Sequence, residues 1–250
     1  MKPVHMVYLA TGAAVVGLGA WALTRDASAA PKKTAPTPST GDLAFRTIER
    51  MQGGALPTDA VPVVIFLHSR QTKPEQYADY DVGMRSRLVL PEGPVKLPPS
   101  RGWFKAKAAD ADQETLAAQM RWTAERLGPF LASYVANIPH VGKPILVGLS
   151  QGASMALALS TMYPGQFAGV VEAAGWLPRS MWTANVPYTV AIHGTADTTV
   201  PFGPAQEWAA WMATKSAPLS WNPISGMGHA PNAQARTIFK DAIQSMVVEQ

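Results

Sequence analysis

Residues 144–164 have the sequence PILVGLSQGASMALALSTMYP, which carries the clearest structural signal in the chain. PILVGLS (144–150) predicts a buried strand, and the small-residue run QGASMALALSTMYP (151–164) predicts a helix. At their junction, GLSQG (148–152) matches Gly-x-Ser-x-Gly, the pattern of a serine on a sharp strand-to-helix turn. The glycines leave room for a strained backbone, and the helix N-terminus directs free N–H groups toward the serine. Ser150 is therefore the candidate nucleophile, and the alternative is a serine that caps a helix.

Outside this stretch, short apolar runs alternate with helical patterns from residue 61 onward. VPVVIFLH (61–68) is a β-branched run typical of a strand that is covered on both faces. The other predicted elements are strands at 86–91, 168–175 and 188–194, helices at 112–136, 203–215 and 232–248, and a last strand candidate at 219–224. This alternation predicts an α/β protein with a mostly parallel central sheet and helices on both faces. In such sheets ligands bind beyond the carboxyl ends of the strands.

A serine hydroxyl becomes a useful nucleophile only beside a base that a third group orients. His229 lies in GMGHA (226–230), after the last strand candidate and before the last helix. Asp197 lies in HGTAD (193–197), just past a predicted strand, where a carboxylate can hold the imidazole tautomer. Taken alone, His229 fits a surface histidine and Asp197 fits a turn former. Their shared placement at strand ends favours a Ser-His-Asp triad with Ser150.

With these residues, the sequence resembles the phospholipase/carboxylesterase group of the α/β-hydrolase superfamily, which includes acyl-protein thioesterases and small bacterial carboxylesterases. The chain order of serine, acid and histidine is that of α/β-hydrolases. The resemblance implies an α/β-hydrolase fold with little or no lid domain, Ser150 as nucleophile, Asp197 as acid and His229 as base. The stretches that carry it are LHSRQTKPEQY (67–77), RLVLPEGPV (87–95), GWF (102–104), GLSQG (148–152), GWLP (175–178), HGTADTTVP (193–201) and GMGH (226–229).

An oxyanion hole needs two N–H donors near the nucleophile. One is expected from the backbone of Gln151, the residue after the nucleophile, and the resemblance implies Arg70 as the other. The sequence departs from the family here, because His68 is followed by Ser69 where relatives usually have glycine. Glycine often serves a positive φ or a close backbone approach, so Ser69 puts the loop geometry in question. The Arg70 guanidinium fits either a contact with acidic substrates or a solvated surface arginine.

Apolar residues of the predicted strand-end loops are candidates for an acyl or aryl pocket, with plain core packing as the alternative. These residues are Trp103, Phe104, Trp176, Leu177 and Met227. His68 and His193 each end a strand and are interpreted as structural histidines that position loops. Glu172 is a carboxylate inside an apolar strand, interpreted as an edge or strand-end residue, with a reserve acid as the alternative.

Composition excludes several classes of protein. The chain has 250 residues, of which 47% are hydrophobic and only 15% are charged, too few for a disordered or coiled-coil chain. The net charge of +4 lies mainly in the first 40 residues, so the remainder has no basic face for nucleic acid. Without cysteine there is no thiolate chemistry, and the five histidines lack metal-binding spacing, so neither a metal nor a cofactor is expected.

The N-terminal region is expected to be separate from the fold. Residues 6–23 contain no charged side chain, and the small residues at 27–29 provide an Ala-x-Ala cleavage pattern. Residues 1–30 therefore fit a signal peptide, a membrane anchor of just sufficient length, or, less naturally, a buried helix. The Pro, Thr and Ala residues of 31–41 predict a flexible linker. Residues 42–250 are expected to form the catalytic domain. The protein is expected to be exported to the periplasm or medium, or anchored in the membrane through residues 6–23.

Together these observations predict an enzyme that cleaves carboxylic esters of short to medium acyl chains through an acyl-enzyme on Ser150. Its partner would be a small-molecule ester, with no cofactor. One alternative is a lysophospholipase or acyl thioesterase acting on longer chains. The other is a tethered binding module of the same fold with weak catalysis, supported by the serine at position 69. Nothing in the sequence indicates an oligomeric state.

Overall fold

The computed structural model describes residues 45–107 and 112–248. The strands are β1 (Thr47–Gln52), β2 (Val61–Leu67), β3 (Ser86–Pro91), β4 (Val95–Leu97), β5 (Ser100–Gly102), β6 (His140–Leu149), β7 (Gly169–Ala173), β8 (Tyr188–Gly194) and β9 (Leu219–Ile224). The helices are α1 (Gln113–Ala136), α2 (Gln151–Met162), α3 (Phe202–Thr214) and α4 (Ala233–Val248). Every predicted strand and helix is present, with boundaries that differ by a few residues.

The main sheet has the strand order β1-β3-β2-β6-β7-β8-β9. All neighbouring pairs are parallel except β1 and β3, which are antiparallel. The predicted, mostly parallel α/β architecture is therefore confirmed. Two features were not predicted: β1, a half-exposed edge strand with a polar sequence, and the hairpin formed by β4 and β5. Both lack the continuous apolar run that marks a strand covered on two faces.

Helices cover both faces of the sheet, and alternate strand residues point to opposite faces. In β2, Val63, Ile65 and Leu67 pack in the same cluster as α1, α2 and α3, whereas Val64 and Phe66 pack in the cluster that contains α4. A strand buried on both faces is apolar at most of its positions, which explains the near-continuous apolar runs seen in the sequence.

The predicted leader (1–30) and linker (31–41) lie outside the described residues and remain predictions. None of the helices in the described part of the chain combines the length and apolar character that a membrane crossing requires.

Candidate active site

Ser150 lies on a strained turn between β6 and α2. Its backbone has φ 55° and ψ −118°, a left-handed φ that side-chain-bearing residues rarely adopt. A Cβ atom at Gly148 would collide with the backbone of Gly152, and one at Gly152 would collide with the carbonyl of Leu67. Gly148 is therefore required by the close approach of β6 to the start of α2, and Gly152 by the close approach of α2 to the end of β2. The predicted serine turn is present with this geometry.

His229 and Asp197 lie beside this serine. The Ser150 hydroxyl is 2.9 Å from His229 Nε2, and His229 Nδ1 is 2.8 Å from Asp197 Oδ2. A neutral imidazole with its proton on Nδ1 donates to the carboxylate and accepts from the serine. The three residues follow the carboxyl ends of β6, β8 and β9. The structure thus brings together all three side chains that the sequence proposed as a triad.

The Asp197 carboxylate is buried and held from several directions. Its Oδ1 accepts the backbone N–H groups of Thr199 (2.8 Å) and Val200 (2.9 Å). His193 Nε2 donates to the Val200 carbonyl at 2.9 Å and lies 3.6 Å from Asp197 Oδ2. Burial lowers the pKa of His193, so this ring is neutral at neutral pH. His193 therefore has the loop-positioning contacts expected of it. In the sequence, the contact between His193 and Asp197 is indicated only by their separation of four residues.

His68 has the same structural character at the end of β2. Its Nδ1 donates to the Ser69 carbonyl at 2.8 Å, and its Nε2 accepts the Gly93 N–H at 2.9 Å. Burial lowers the pKa of His68 to about 4, which keeps the ring neutral. Trp103 Nε1 also donates to the His68 carbonyl at 2.7 Å. The loop after β2 is therefore fixed from both sides.

Ser69 fits this loop without backbone strain. The left-handed φ in the loop belongs to Gln71 (58°), and Ser69 does not share it. The Ser69 hydroxyl donates to the Leu149 carbonyl at 3.3 Å, next to the nucleophile. A serine at this position therefore does not require the positive φ that a glycine would allow, and the loop geometry is compatible with Ser69.

The two proposed oxyanion donors are the backbone N–H groups of Gln151 and Arg70. Gln151 is the first residue of α2, and such N–H groups have no partner within their helix. Within the described residues, neither amide forms a hydrogen bond. The side chain of Gln151 bridges two neighbouring residues: its Oε1 accepts the Trp103 N–H at 2.9 Å, and its Nε2 donates to the Phe104 carbonyl at 2.7 Å. Sequence reasoning missed this bridge, because its partners are distant in the chain.

The Arg70 guanidinium is half-buried and contacts the backbone of residues 104–106, a contact that the sequence did not predict. Its Nη1 donates to three successive backbone carbonyls, those of Phe104 (3.2 Å), Lys105 (2.9 Å) and Ala106 (3.3 Å). Burial lowers the pKa of Arg70, although an arginine remains charged at all ordinary pH values.

The five pocket candidates are at most 5% exposed: Trp103, Phe104, Trp176, Leu177 and Met227. All five belong to the two core clusters, as the core-packing alternative stated. Two of them, Trp103 and Phe104, also line a cavity of about 410 Å³ whose other wall is the side of α1 around Trp122. Ser150, Asp197 and His229 are not among the residues that line this cavity.

Glu172 lies in β7, between β6 and β8, and is fully buried. It is the penultimate residue of its strand, so the strand-end interpretation is right and the edge interpretation is wrong. Its Oε2 accepts the Gly175 N–H at 2.9 Å, and its Oε1 has no partner in the described residues. Burial raises the pKa of Glu172 well above its ordinary value. A carboxyl kept neutral in this way does not supply the negative charge that a reserve acid needs.

The sheet, the serine turn and the three linked side chains define a protein of the α/β-hydrolase class. The chain belongs to the phospholipase/carboxylesterase family, because the sequence profile of that family matches residues 58–246, well over half of the chain. It is therefore an enzyme of a hydrolase family, and its class is that of carboxylic ester hydrolases.

Solved structures with the same fold include the esterase PE8, which is 20% identical and has a TM-score of 0.70 over 81% of this chain and 99% of that one. Acyl-protein thioesterase 2 of Zea mays is 18% identical, with a TM-score of 0.64 over 82% of this chain and all of the other. The Bacillus cereus carboxylesterase is 18% identical, with a TM-score of 0.63 over 82% and 95% of the two chains. No curated protein sequence matches the chain.

Proposed function

We propose that this protein hydrolyses small carboxylic esters through an acyl-enzyme on Ser150. The observation that carries the proposal is the continuous contact from Ser150 Oγ to His229 (2.9 Å) and from His229 to Asp197 (2.8 Å). A serine, a base and a buried carboxylate linked in this order are an arrangement that activates serine as a nucleophile.

In the first half of the reaction, Ser150 Oγ attacks the ester carbonyl carbon while its proton moves to His229 Nε2. Asp197 stabilises the imidazolium, and the N–H groups of Gln151 and Arg70 donate to the oxyanion. The bond to the leaving alcohol then breaks, and the alcohol takes the proton from His229. In the second half, water gives a proton to His229 and attacks the acyl-enzyme. The carboxylic acid leaves, and the proton returns to Ser150.

We propose short to medium acyl chains as the preferred substrates. The support is that Trp176, Leu177 and Met227 pack into the core, which leaves these side chains little surface to offer a long chain. A second candidate is a thioesterase or lysophospholipase that acts on longer chains. It draws support from the similarity of fold to a protein named as an acyl-protein thioesterase. The contacts that link Ser150, His229 and Asp197 argue against a protein that only binds its ligand.

The proposal is tested with p-nitrophenyl esters from acetate to palmitate, comparing the full chain with Ser150→Ala. We expect turnover that is highest on the shorter chains and absent in the variant, together with fluorophosphonate labelling of the unchanged chain alone. A maximum at long chains would favour the second candidate. Activity retained by Ser150→Ala would remove the nucleophile assignment, and an unchanged chain that neither turns over nor labels would favour the binding module.

We further propose that the enzyme is exported, with residues 1–30 serving as a signal peptide or as an anchor through residues 6–23. The support is the uncharged run at 6–23 followed by the Ala-x-Ala pattern. Cell fractionation with mass spectrometry of the recovered protein distinguishes the two forms. A full-length chain found in the cytosol would contradict export.

A further inference from the structure

Residues 103–106, which we call the 103–106 segment, connect β5 toward α1 and contact both proposed oxyanion residues. The Gln151 side chain bonds to Trp103 and Phe104. The Arg70 guanidinium bonds to the three carbonyls that follow one another from Phe104. From the α1 side, Gln119 Oε1 accepts the N–H groups of Lys105 and Ala106, each at 2.9 Å. The segment is therefore held independently of Arg70 and can serve as a fixed anchor.

The loop that carries Arg70 is held at positions before and after it. Thr72 Oγ1 donates to the Ser69 carbonyl at 2.6 Å, and the Gln71 N–H donates to the Arg101 carbonyl at 2.8 Å. The Arg70 N–H makes no hydrogen bond with any described residue. This amide shares its peptide plane with the Ser69 carbonyl, which accepts from His68 Nδ1 and Thr72 Oγ1. The anchored guanidinium holds the same residue from its side-chain end.

We propose that Arg70 is a positioning residue, whose guanidinium, anchored on the 103–106 segment, holds its own backbone N–H toward the oxyanion formed at Ser150. The inference rests on the proposed function, since it assumes that an oxyanion forms there. A side chain fixed at its far end restricts the backbone conformations of its residue. The donor is then already oriented when the charge develops, as oxyanion stabilisation requires.

This role acts on the transition state more than on the bound substrate. Removing the guanidinium is therefore expected to lower kcat and to leave KM nearly unchanged. Complete loss of an oxyanion donor costs about 10²–10³ in kcat. Because the amide remains present in Arg70→Gln but is less well oriented, we expect a loss of about tenfold to a hundredfold. Arg70→Lys keeps the charge with a single donor group and should lose less.

The test uses the full chain with Arg70→Gln, Arg70→Lys and the control Arg50→Gln. Arg50 is an exposed arginine on β1 that donates to one carbonyl, that of its neighbour Glu49. Active sites are titrated with a fluorophosphonate, so that kcat is expressed per competent site and misfolded protein does not count. A trifluoromethyl ketone, whose adduct with serine carries an oxyanion, gives the affinity for a transition-state mimic alongside KM for p-nitrophenyl butyrate.

The expected result is a fall in kcat and in trifluoromethyl ketone affinity by similar factors in Arg70→Gln, with a smaller fall in Arg70→Lys and none in Arg50→Gln. An unchanged kcat per site in Arg70→Gln, or a loss confined to KM, would overturn the inference. If Arg70→Gln yields no titratable sites, the same comparison is made with Arg70→Lys. An unchanged chain that neither turns over nor labels would instead overturn the proposed function.

Discussion

Replacing Glu172 with glutamine should change how the stability of the protein depends on pH. Glu172 is fully buried in β7, and burial raises its pKa well above the ordinary value for a glutamate. In the unfolded chain the same carboxyl ionises near its ordinary pKa. The folded state therefore binds one more proton than the unfolded state over the interval between the two values. Stability from this group is present at low pH and is lost as the pH rises through that interval.

The size of the effect follows from one proton. Each pH unit within the interval costs about 1.4 kcal/mol of unfolding free energy. The loss accumulates only where Glu172 is protonated in the folded state and ionised in the unfolded chain, which is the pH range above its ordinary pKa. Glutamine has the same shape and keeps an acceptor for the Gly175 N–H, but it does not ionise. Relative to the unchanged protein, Glu172→Gln should thus gain up to about 1 kcal/mol of unfolding free energy for each pH unit above the ordinary carboxyl pKa.

The measurement is urea unfolding of both proteins at pH 5, 6 and 7, with Glu114→Gln on the exposed start of α1 as the control. For each pH, the unfolding free energy of the unchanged protein is subtracted from that of the variant. The diagnostic quantity is the change of this difference with pH. Any constant cost of the substitution cancels in that change. A difference that stays flat from pH 5 to pH 7 would refute the argument, because Glu172 would then ionise equally in the folded and unfolded states.

Three further predictions follow from the site. Asp197→Asn should lower kcat by about 10³–10⁴ while the protein stays folded, because an amide neither fixes the His229 tautomer nor stabilises the imidazolium; a loss under tenfold in a burst-corrected assay would argue against the triad. Gly152→Ala should destabilise the fold by more than about 1–3 kcal/mol, since its Cβ meets the Leu67 carbonyl; an unchanged melting temperature would contradict this. Ser69→Gly should leave kcat within about twofold, because position 69 does not need a positive φ; a large increase would show that the serine does impair the loop.

Local patterns in the sequence predicted much of the fold. The strand at 61–67 is an unbroken apolar run, and the strands at 86–91 and 188–194 contain the shorter apolar runs 88–91 and 190–192, because helices cover both faces of the sheet. β1 was missed because its sequence, TIERMQ, alternates polar residues at a half-exposed edge. Its pairing with β3 is antiparallel and joins residues nearly forty positions apart, and no local periodicity encodes such a partner.

Local signals in the sequence were sufficient for the α/β class, the serine turn and the placement of Ser150, Asp197 and His229 at strand ends, since turns and strand ends depend on neighbouring residues. The contacts of each polar side chain there depend on parts of the chain that are distant in sequence. Arg70 became an anchor only because β2 ends beside a segment more than thirty residues further on. Burial in the core raises the pKa of Glu172 because it removes water from the carboxyl, and burial of this kind is a property of the assembled core.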